Sequence, residues 1–270
     1  MMKRDSNPPN GNRYFVQSLA KGIALLKLVS AAERPLSLTE IAAKLETNKA
    51  TATRFCYTLV NLGYMHRIDQ KYYALTPQVL ELGYSAICRT DWHELANFFL
   101  RELFRQVDET VSAAILVDTD ILYTIRIIKK KILDIDLQVG SRLPVHCTAM
   151  GKVLMAFGPP CNVQDVLQRI EFKKFNDKTI TSLQAFLKEL EQVRERGYAL
   201  SDEEVSLGNR SIAAPLIDDG GYAFAAIAVA TASEQYTLAR LRKDVAPPLL
   251  GCAQKISAAL RQIRGKAVAP

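Results

Sequence analysis

The stretch from Ser37 to Gly63 constrains the fold of this chain more than any other part of the sequence. Ser37 and Glu40 have the S-x-x-E spacing of a capping box, in which each side chain satisfies an amide at the start of a helix. After a short amphipathic helix, Asn48 is a suitable N-cap for a second helix. Gly63 stands where the left-handed residue after a helix is expected. The pattern therefore predicts two short helices joined by a tight turn, which is a helix-turn-helix.

The second helix of this pair is predicted to have two contrasting faces. Its inner face has apolar residues at helical spacing, which are Ala52, Phe55, Cys56, Leu59 and Leu62. Polar side chains are left facing outward near its start, where helix-turn-helix proteins contact base edges. The candidate DNA-binding residues of the two helices are Ser37, Thr39, Asn48, Lys49, Thr51, Thr53, Arg54 and Tyr57.

A predicted hairpin follows these helices, and a further helix precedes them. Residues 64–75 read as two short strands around a polar turn, with Arg67 and Lys71 near the tip, from which they can reach phosphate. A hairpin appended to a helix-turn-helix is the winged form. Ser18–Ser30 is predicted to form the first helix of the domain, with Leu19, Ile23 and Leu26 facing inward. Each feature alone is common, and their combination favours a DNA-binding domain.

The positive charge of the chain is concentrated on this N-terminal part. The whole sequence of 270 residues has a formal net charge of +7. Residues 1–90 contain 12 Lys or Arg against 6 Asp or Glu, which gives +6, and the remainder contains 23 against 22, which gives +1. A DNA-binding module requires such an excess, whereas a solvated basic face without a partner is the alternative interpretation.

A rival hypothesis is a small-molecule sensor or enzyme domain whose N-terminal helices serve only dimerisation. That hypothesis gives no reason to concentrate positive charge beside the outward-facing Lys49, Thr51 and Arg54. Charge therefore favours the DNA-binding hypothesis.

The length and composition predict about two domains in a soluble chain with a sizeable core. We expect a disordered lead-in over residues 1–13, a winged helix-turn-helix over 14–76, a linker helix over 77–90 and an effector domain over 91–270. The last part alternates short strands, including one at Ile132–Leu137, with peripheral helices. These include Trp92–Val107 and a long helix Leu238–Arg261 that bends or restarts near Pro247-Pro248. This pattern predicts an α+β fold with a mainly antiparallel sheet.

Several other classes of protein are not indicated. The sequence has no apolar run near the roughly 18 residues that a membrane span needs, and no apolar segment of a secretory signal, so we expect a cytoplasmic protein. The five cysteines and three histidines are dispersed, so we predict no metal site and no cofactor. The acidic run Ser201–Glu204 has no second constellation to pair with, and no catalytic motif occurs. We therefore expect no catalytic residues and no enzyme.

Four separated motifs, in the same order, resemble the IclR family of transcriptional regulators, and the resemblance covers essentially residues 14–262. The motifs are Phe15–Gly22, Gly140–Lys152, Arg196–Glu204, and Gly208–Leu216 with the strand that follows. The resemblance implies a winged-helix domain, a GAF-like effector domain, and a homodimer or dimer of dimers on a palindromic operator in double-stranded DNA. The motifs Cys-Thr-Ala-Met-Gly-Lys and Leu-Gly-Asn-Arg-Ser-Ile-Ala are most similar to the subgroup that controls aromatic-acid catabolism, the protocatechuate and 4-hydroxybenzoate type.

An effector site is predicted where a helix starts at Thr148. His146 and Thr148 are candidate effector-binding residues, because the first amides of a helix attract a carboxylate. By motif position, the resemblance adds Ala149, Met150, Ser201, Ser211, Ala228 and Ala230. Relatives that bind small keto acids have an acidic residue in place of Ser201 and hydroxyls in place of Ala228 and Ala230. The resemblance therefore implies a less polar pocket and an aromatic acid as effector. Core packing is the alternative interpretation for the two alanines.

Overall fold

The computed structural model describes residues 14–88, 92–129 and 137–267. The chain divides into two compact units between Ala86 and Ile87. The predicted lead-in over residues 1–13 and nearly all of the predicted strand Ile132–Leu137 fall outside the described residues. No helix in the described ranges is long and apolar enough to cross a membrane.

The first unit combines short helices with a small sheet. Its elements are α1 (Gln17–Ser30), β1 (Leu36–Ser37), α2 (Leu38–Lys44), α3 (Lys49–Asn61), β2 (Met65–Ile68), β3 (Tyr72–Leu75) and α4 (Val79–Cys88). The strands pair antiparallel in the order β1-β3-β2, with Leu36 opposite Tyr73 and Met65 opposite Leu75.

The predicted caps of the helix-turn-helix are present. Ser37 Oγ accepts a hydrogen bond from the Glu40 amide at 3.4 Å, and Glu40 Oε2 accepts one from the Ser37 amide at 2.8 Å. At the start of α3, Asn48 Oδ1 accepts from the Thr51 amide at 2.8 Å. The predicted capping box and second N-cap are therefore confirmed.

The inward face of α1 matches the predicted one only at Leu26, which is half-buried against the core of the unit. Leu25 and Val29 are buried in the core of the unit, whereas Leu19 is 63% exposed and Ile23 is 47% exposed. The helix is apolar over much of its circumference, so spacing alone could not determine which stripe faces inward. Leu62 is exposed as well, because it caps α3 after the last helical residue.

Among the described residues, the second unit is built around a six-stranded antiparallel sheet in the order β6-β5-β4-β9-β8-β7. Its elements are α5 (Trp92–Val107), β4 (Thr110–Val117), β5 (Asp120–Ile127), β6 (Arg142–Pro144), α6 (Ala149–Phe157), α7 (Pro160–Arg169), α8 (Leu183–Arg196), β7 (Ala199–Asp202), β8 (Asn209–Ile217), β9 (Ala223–Ala232), α9 (Leu238–Arg240) and α10 (Ala246–Ala267). The predicted α+β class with a mainly antiparallel sheet is confirmed. The predicted long helix Leu238–Arg261, expected to bend or restart near Pro247-Pro248, is interrupted by a π-helical turn at Leu241–Val245, and α10 begins at Ala246.

The two faces of this sheet pack against different helices, because alternate residues of a strand point to opposite faces. Val111, Ala113 and their neighbours pack with α5 and α10. The other face has small side chains, which are Ala114, Ala213, Ala226 and Ala228, and it packs with α6 and α8. Small residues allow α6 to approach the sheet closely, and a cavity lies where this helix starts.

Candidate DNA-binding surface and effector cavity

The exposed face of α3 carries most of the residues predicted to contact DNA. Lys49, Thr53, Arg54 and Tyr57 are exposed, and Thr51 is half-buried. The Thr53 hydroxyl donates to the Lys49 carbonyl at 2.8 Å, so its hydrogen is committed to the helix. The long side chains on this face therefore have the greatest reach toward a groove.

The capping residues have a different part in this surface. Ser37 Oγ is held within the capping box and donates to Glu40 Oε2 at 2.6 Å. Hydrogen bonds from Arg34 and Ser37 lower the pKa of Glu40 to about 2, so the Glu40 carboxylate of the capping box is ionised at neutral pH. Ser37 and Asn48 use their side-chain oxygens to fix the helix starts, whereas Thr39 on α2 is exposed.

Arg54 lies at the edge between the polar face of α3 and an apolar groove. The groove runs between α1 and α3 and is lined by side chains that include Leu19, Ile23, Phe55 and Leu62. The Arg54 carbonyl accepts from the Thr58 hydroxyl at 2.8 Å, but the Arg54 guanidinium forms no hydrogen bond or ion pair within the described residues. Its guanidinium group can therefore swing toward DNA without breaking a contact.

The turn between β2 and β3 presents the predicted basic tip of the wing. Asp69 and Gln70 have φ values of 48° and 57°, the left-handed conformation required by the tightest hairpin turns. The Arg67 guanidinium lies 5.8 Å from the Tyr73 ring centre, and Lys71 Nζ lies 5.4 Å from the ring centre of the next residue, Tyr72. Both cations are exposed and available to phosphate.

A cavity of about 50 Å³ opens at the start of α6 in the second unit. It is lined by Ser112, Tyr123, Arg126, Leu137, Leu143, Thr148, Ala149, Met150, Ser201, Val205, Asn209, Ser211, Ala228 and Ala230. All of the residues predicted to bind the effector are among them except His146. The structure therefore brings these separated motifs together around one cavity.

His146 does not line the cavity. Its ring is buried, lies edge-on to Phe172 at 5.3 Å between ring centres, and places Nε2 3.0 Å from the Lys173 carbonyl, to which Nε2–H donates. Burial lowers the pKa of His146, which favours the neutral ring. A 3-10 turn over Val145–Cys147 directs the ring toward this neighbouring segment, so proximity in sequence to α6 was misleading.

The start of α6 offers hydrogen-bond donors to the cavity. Thr148 Oγ1 caps the Gly151 amide at 3.1 Å, and Ser201 Oγ donates to the Cys147 carbonyl at 3.0 Å. The amides of Ala149 and Met150 come before the first intrahelical hydrogen bonds and point forward out of the helix. Such amides, together with the helix dipole, favour an anion.

Arg126 is a cavity residue that sequence reasoning missed. Its Nη1 donates to Ser112 Oγ at 3.4 Å, and its guanidinium carbon lies 5.4 Å from the Tyr123 ring centre. Burial raises the pKa of Tyr123 to about 12, so the phenol is neutral at pH 7. Of the lining residues that the structure describes, Arg126 alone carries a full charge at neutral pH. The cavity is therefore suited to an anion.

Strand register explains why Arg126 reaches the cavity. Ser112 on β4 lies opposite both Arg126 on β5 and Ala228 on β9. Ser211 lies opposite both Ser201 and Ala230. These residues therefore share the face of the sheet that α6 covers. The sequence signal was the alternation within each strand, which gives the face of a residue but not its partner.

A buried ion pair lies directly behind the cavity wall. Lys152 on α6 is 2% exposed, and its Nζ lies 2.5 Å from Glu204 Oε1 and 2.9 Å from the Leu200 carbonyl. Burial raises the pKa of Glu204, and the neighbouring ammonium group opposes that rise. The pair joins α6 to the acidic loop after β7, whose Val205 lines the cavity.

Family comparison identifies the class of protein to which this arrangement belongs. The IclR helix-turn-helix domain matches residues 18–68, and the C-terminal domain of the bacterial transcriptional regulator IclR matches residues 84–258. The chain belongs to the IclR family. It is a DNA-binding transcriptional regulator and not an enzyme, since this family and its relatives are transcriptional regulators. A sensor or enzyme domain with purely dimerising N-terminal helices does not agree with this finding.

Individual IclR relatives match most of the chain. The Pca regulon regulatory protein of Pseudomonas putida is 32% identical over 247 residues, which are 91% of this chain and 84% of that protein. The transcriptional regulator KdgR of Escherichia coli strain K12 is 34% identical over 244 residues, which are 90% of this chain and 92% of that protein. The p-hydroxybenzoate hydroxylase transcriptional activator of Acinetobacter baylyi is 30% identical over 218 residues, which are 79% of this chain and 80% of that protein. The first and third fit the aromatic-acid subgroup that the motifs resemble.

A solved IclR-type structure shows the same fold. The crystal structure of a transcriptional regulator from Rhodococcus sp. RHA1 has a TM-score of 0.80 and 33% identity to this chain. The match covers 92% of this chain and 100% of the Rhodococcus chain. The two chains therefore share one fold over nearly their whole lengths.

Proposed function

We propose that this IclR-type regulator is controlled by a small organic acid, an aromatic carboxylate from a catabolic pathway. In this proposal residues 14–76 bind a palindromic operator, residues 77–90 link the domains, and the GAF-like part over 91–270 binds the effector. The protein acts in the cytoplasm as a homodimer or a dimer of dimers. The observation that carries the proposal is the cavity at the start of α6.

The polar groups of the cavity support an acid as the effector. The amides of Ala149 and Met150 and the guanidinium of Arg126 supply donors and positive potential to one small space. The Ser201 hydroxyl donates its hydrogen to the Cys147 carbonyl. Its oxygen can therefore only accept a further hydrogen bond, and the acid group is bound by the other donors.

The apolar part of the cavity supports an aromatic ring. Ala228 and Ala230 lie on the sheet side of the cavity, and Met150, Leu137 and Leu143 supply larger apolar surface. At about 50 Å³ the space is smaller than the roughly 300–1,000 Å³ of ordinary ligand pockets. A ring therefore needs movement of flexible side chains, for which an unbranched methionine is well suited. The name of the Acinetobacter relative also points to an aromatic acid.

Titration of the full chain with a panel of acids tests this proposal. Isothermal titration calorimetry compares hydroxybenzoates with glyoxylate and pyruvate, and fluorescence anisotropy measures whether the bound acid changes affinity for the promoter DNA. Arg126→Gln should weaken binding of an aromatic acid about 10- to 100-fold, as expected for loss of a hydrogen bond to a charged group. Arg142→Gln is the matched control, because Arg142 pairs with Asp120 and does not line the cavity.

Two results would contradict the proposal. Binding of glyoxylate or pyruvate, with none by any aromatic acid, would show that the apolar surface does not select a ring. Equal affinity of the Arg126→Gln and Arg142→Gln variants for every acid would remove the guanidinium from the site.

A further inference from the structure

A polar atom in the cavity wall has no hydrogen-bond partner among the residues that the structure describes. Asn209 Oδ1 is buried, and none of the described residues donates a hydrogen bond to it. Asn209 itself lines the cavity and is half-buried. Buried acceptors in folded proteins are nearly always satisfied, so an exception that faces a cavity calls for a donor from outside the chain.

The backbone fixes Asn209 in this position. Its carbonyl accepts from the Glu203 amide at 2.9 Å, and its own amide donates to the Ser206 carbonyl at 3.3 Å. It also pairs with Ala232 at the start of β8. Its side chain therefore lies on the same face of β8 as Ser211, two residues further on.

Asn209 and Arg126 lie at opposite ends of the cavity. Arg126 lies opposite Ser112, which in turn lies opposite Ala228 on β9. Asn209 lies opposite Ala232 on the same strand. Four residues of a strand span about 13 Å, and Arg126 on β5 and Asn209 on β8 are also three strand spacings of about 4.8 Å apart across the sheet, with Ala230 on the floor between them. Both side chains line the cavity and shorten this separation, so a benzene ring with a carboxylate and a hydroxyl in para positions, plus a hydrogen bond of about 3 Å at each end, can bridge what remains.

We propose that the effector is a hydroxy acid whose hydroxyl group donates to Asn209 Oδ1 while its acid group occupies the Arg126 end. The inference rests on the proposed function, since it takes an acid to be the effector. A hydroxyl group is the donor proposed, because a cationic amine would add a second positive charge to a small cavity whose lining already includes the Arg126 guanidinium. Asn209 is thus a specificity-determining residue, and it distinguishes hydroxylated acids from the same acids without the hydroxyl.

Three ligands and two variants test this inference on the full chain by isothermal titration calorimetry. The ligands are benzoate, 4-hydroxybenzoate and 4-methoxybenzoate, of which only the second has a hydrogen to donate. The wild-type protein should bind 4-hydroxybenzoate about 10-fold more tightly than the other two. Asn209→Leu should lose this advantage, so that the variant binds the three ligands with similar affinities. Asn162→Leu, the same substitution at an exposed site on α7, should leave all three affinities unchanged.

A readout without ligand separates recognition from folding. Because Asn209→Leu removes an unsatisfied buried acceptor, the unliganded variant should melt at the wild-type temperature or above it. If leucine prevents folding, Asn209→Ala serves in its place, since it adds no bulk and should give the same pattern of affinities.

Each contrary outcome has a distinct meaning. Equal wild-type affinities for benzoate and 4-hydroxybenzoate would overturn the inference and leave the proposed function intact. Equal weakening of all three ligands by Asn209→Leu would also overturn it, because the residue would then only shape the cavity. Tight binding of 4-methoxybenzoate would show that the amide donates rather than accepts. Failure of every organic acid to bind would refute the proposed function, and with it this inference.

Discussion

Replacement of Lys152 by methionine should strongly destabilise the second unit. Its Nζ lies 2.5 Å from Glu204 Oε1, and both side chains are buried. Glu189 is 3.8 Å from the same nitrogen but also pairs with Arg196 at 2.5 Å, so it keeps a partner after the change. Methionine has a similar length and leaves no large void. The main consequence is therefore an unpaired buried carboxylate at Glu204.

The expected loss is about 3–5 kcal/mol, the cost of removing one partner from a buried ion pair. The matched control is Lys178→Met, because Lys178 pairs with Glu203 but its side chain is 44% exposed. An exposed pair of this kind contributes about 0–1 kcal/mol. A double variant, Lys152→Met with Glu204→Met, should recover much of the loss, because neither charge is then buried without a partner.

The loss should also depend on pH. Burial raises the pKa of Glu204 from the ordinary value of 4.5, and removal of the ammonium group raises it further. A carboxyl group with a raised folded-state pKa contributes stability that is present below 4.5 and is lost as pH rises through the folded-state pKa. The deficit of Lys152→Met should therefore be smallest in acid and grow toward neutral pH.

Urea denaturation of the full chain measures these differences. The sequence contains 1 tryptophan, Trp92, which is buried in the second unit, so its fluorescence reports on that unit separately. The reasoning is refuted if Lys152→Met loses no more stability than Lys178→Met. It is refuted equally if the deficit is the same at pH 5 and pH 8.

Two further pairs of substitutions test the DNA surface and the start of α6. Arg54→Ala should cost about 1–3 kcal/mol on the operator and little on random DNA, whereas Lys71→Ala should weaken both and flatten the salt slope by about one unit. Anisotropy titrations at several salt concentrations measure this, and equal losses on both DNAs would exclude base readout by Arg54. Gly151→Ala should cost at least about 1–3 kcal/mol, because its Cβ would lie 2.4 Å from the Val145 backbone. Gly251→Ala meets nothing within 4 Å and should gain up to about 1 kcal/mol in the same urea assay. A stable Gly151→Ala protein would contradict the close approach.

Features that depend on a few neighbouring residues could be predicted from the sequence. The capping box of Ser37 and Glu40 and the cap at Asn48 are local hydrogen bonds, and the structure contains them. Helix α5 has the predicted bounds Trp92–Val107, because a strongly amphipathic pattern continues through it. Alternating strands likewise predicted the antiparallel sheet.

Features that depend on pairing across the chain could not be predicted. Ser112, Arg126 and Ala228 meet because of strand register, and no local pattern specifies which residue of β4 faces which residue of β9. Seven cavity residues were missed for this reason or because they follow a loop, namely Ser112, Tyr123, Arg126, Leu137, Leu143, Val205 and Asn209. The predicted helix start supplied Thr148, and the motif resemblance supplied the others because their positions are fixed relative to one another in the family.

The ion pair and the cavity share the same two structural elements, which couples stability to effector binding. On α6, Met150 faces the cavity and Lys152 forms the ion pair; on the acidic loop, Val205 faces the cavity and Glu204 forms the pair. Breaking the ion pair therefore removes a contact that holds α6 and the acidic loop, which form two walls of the cavity, in place. A ligand that binds only the folded arrangement of these walls stabilises that arrangement by mass action. In the Lys152→Met protein, part of the binding free energy is used to restore the arrangement. Lys152→Met should thus weaken effector binding although Lys152 does not line the cavity, whereas Lys178→Met should leave binding unchanged. Wild-type affinity in the Lys152→Met protein would show that the cavity walls are held by other contacts.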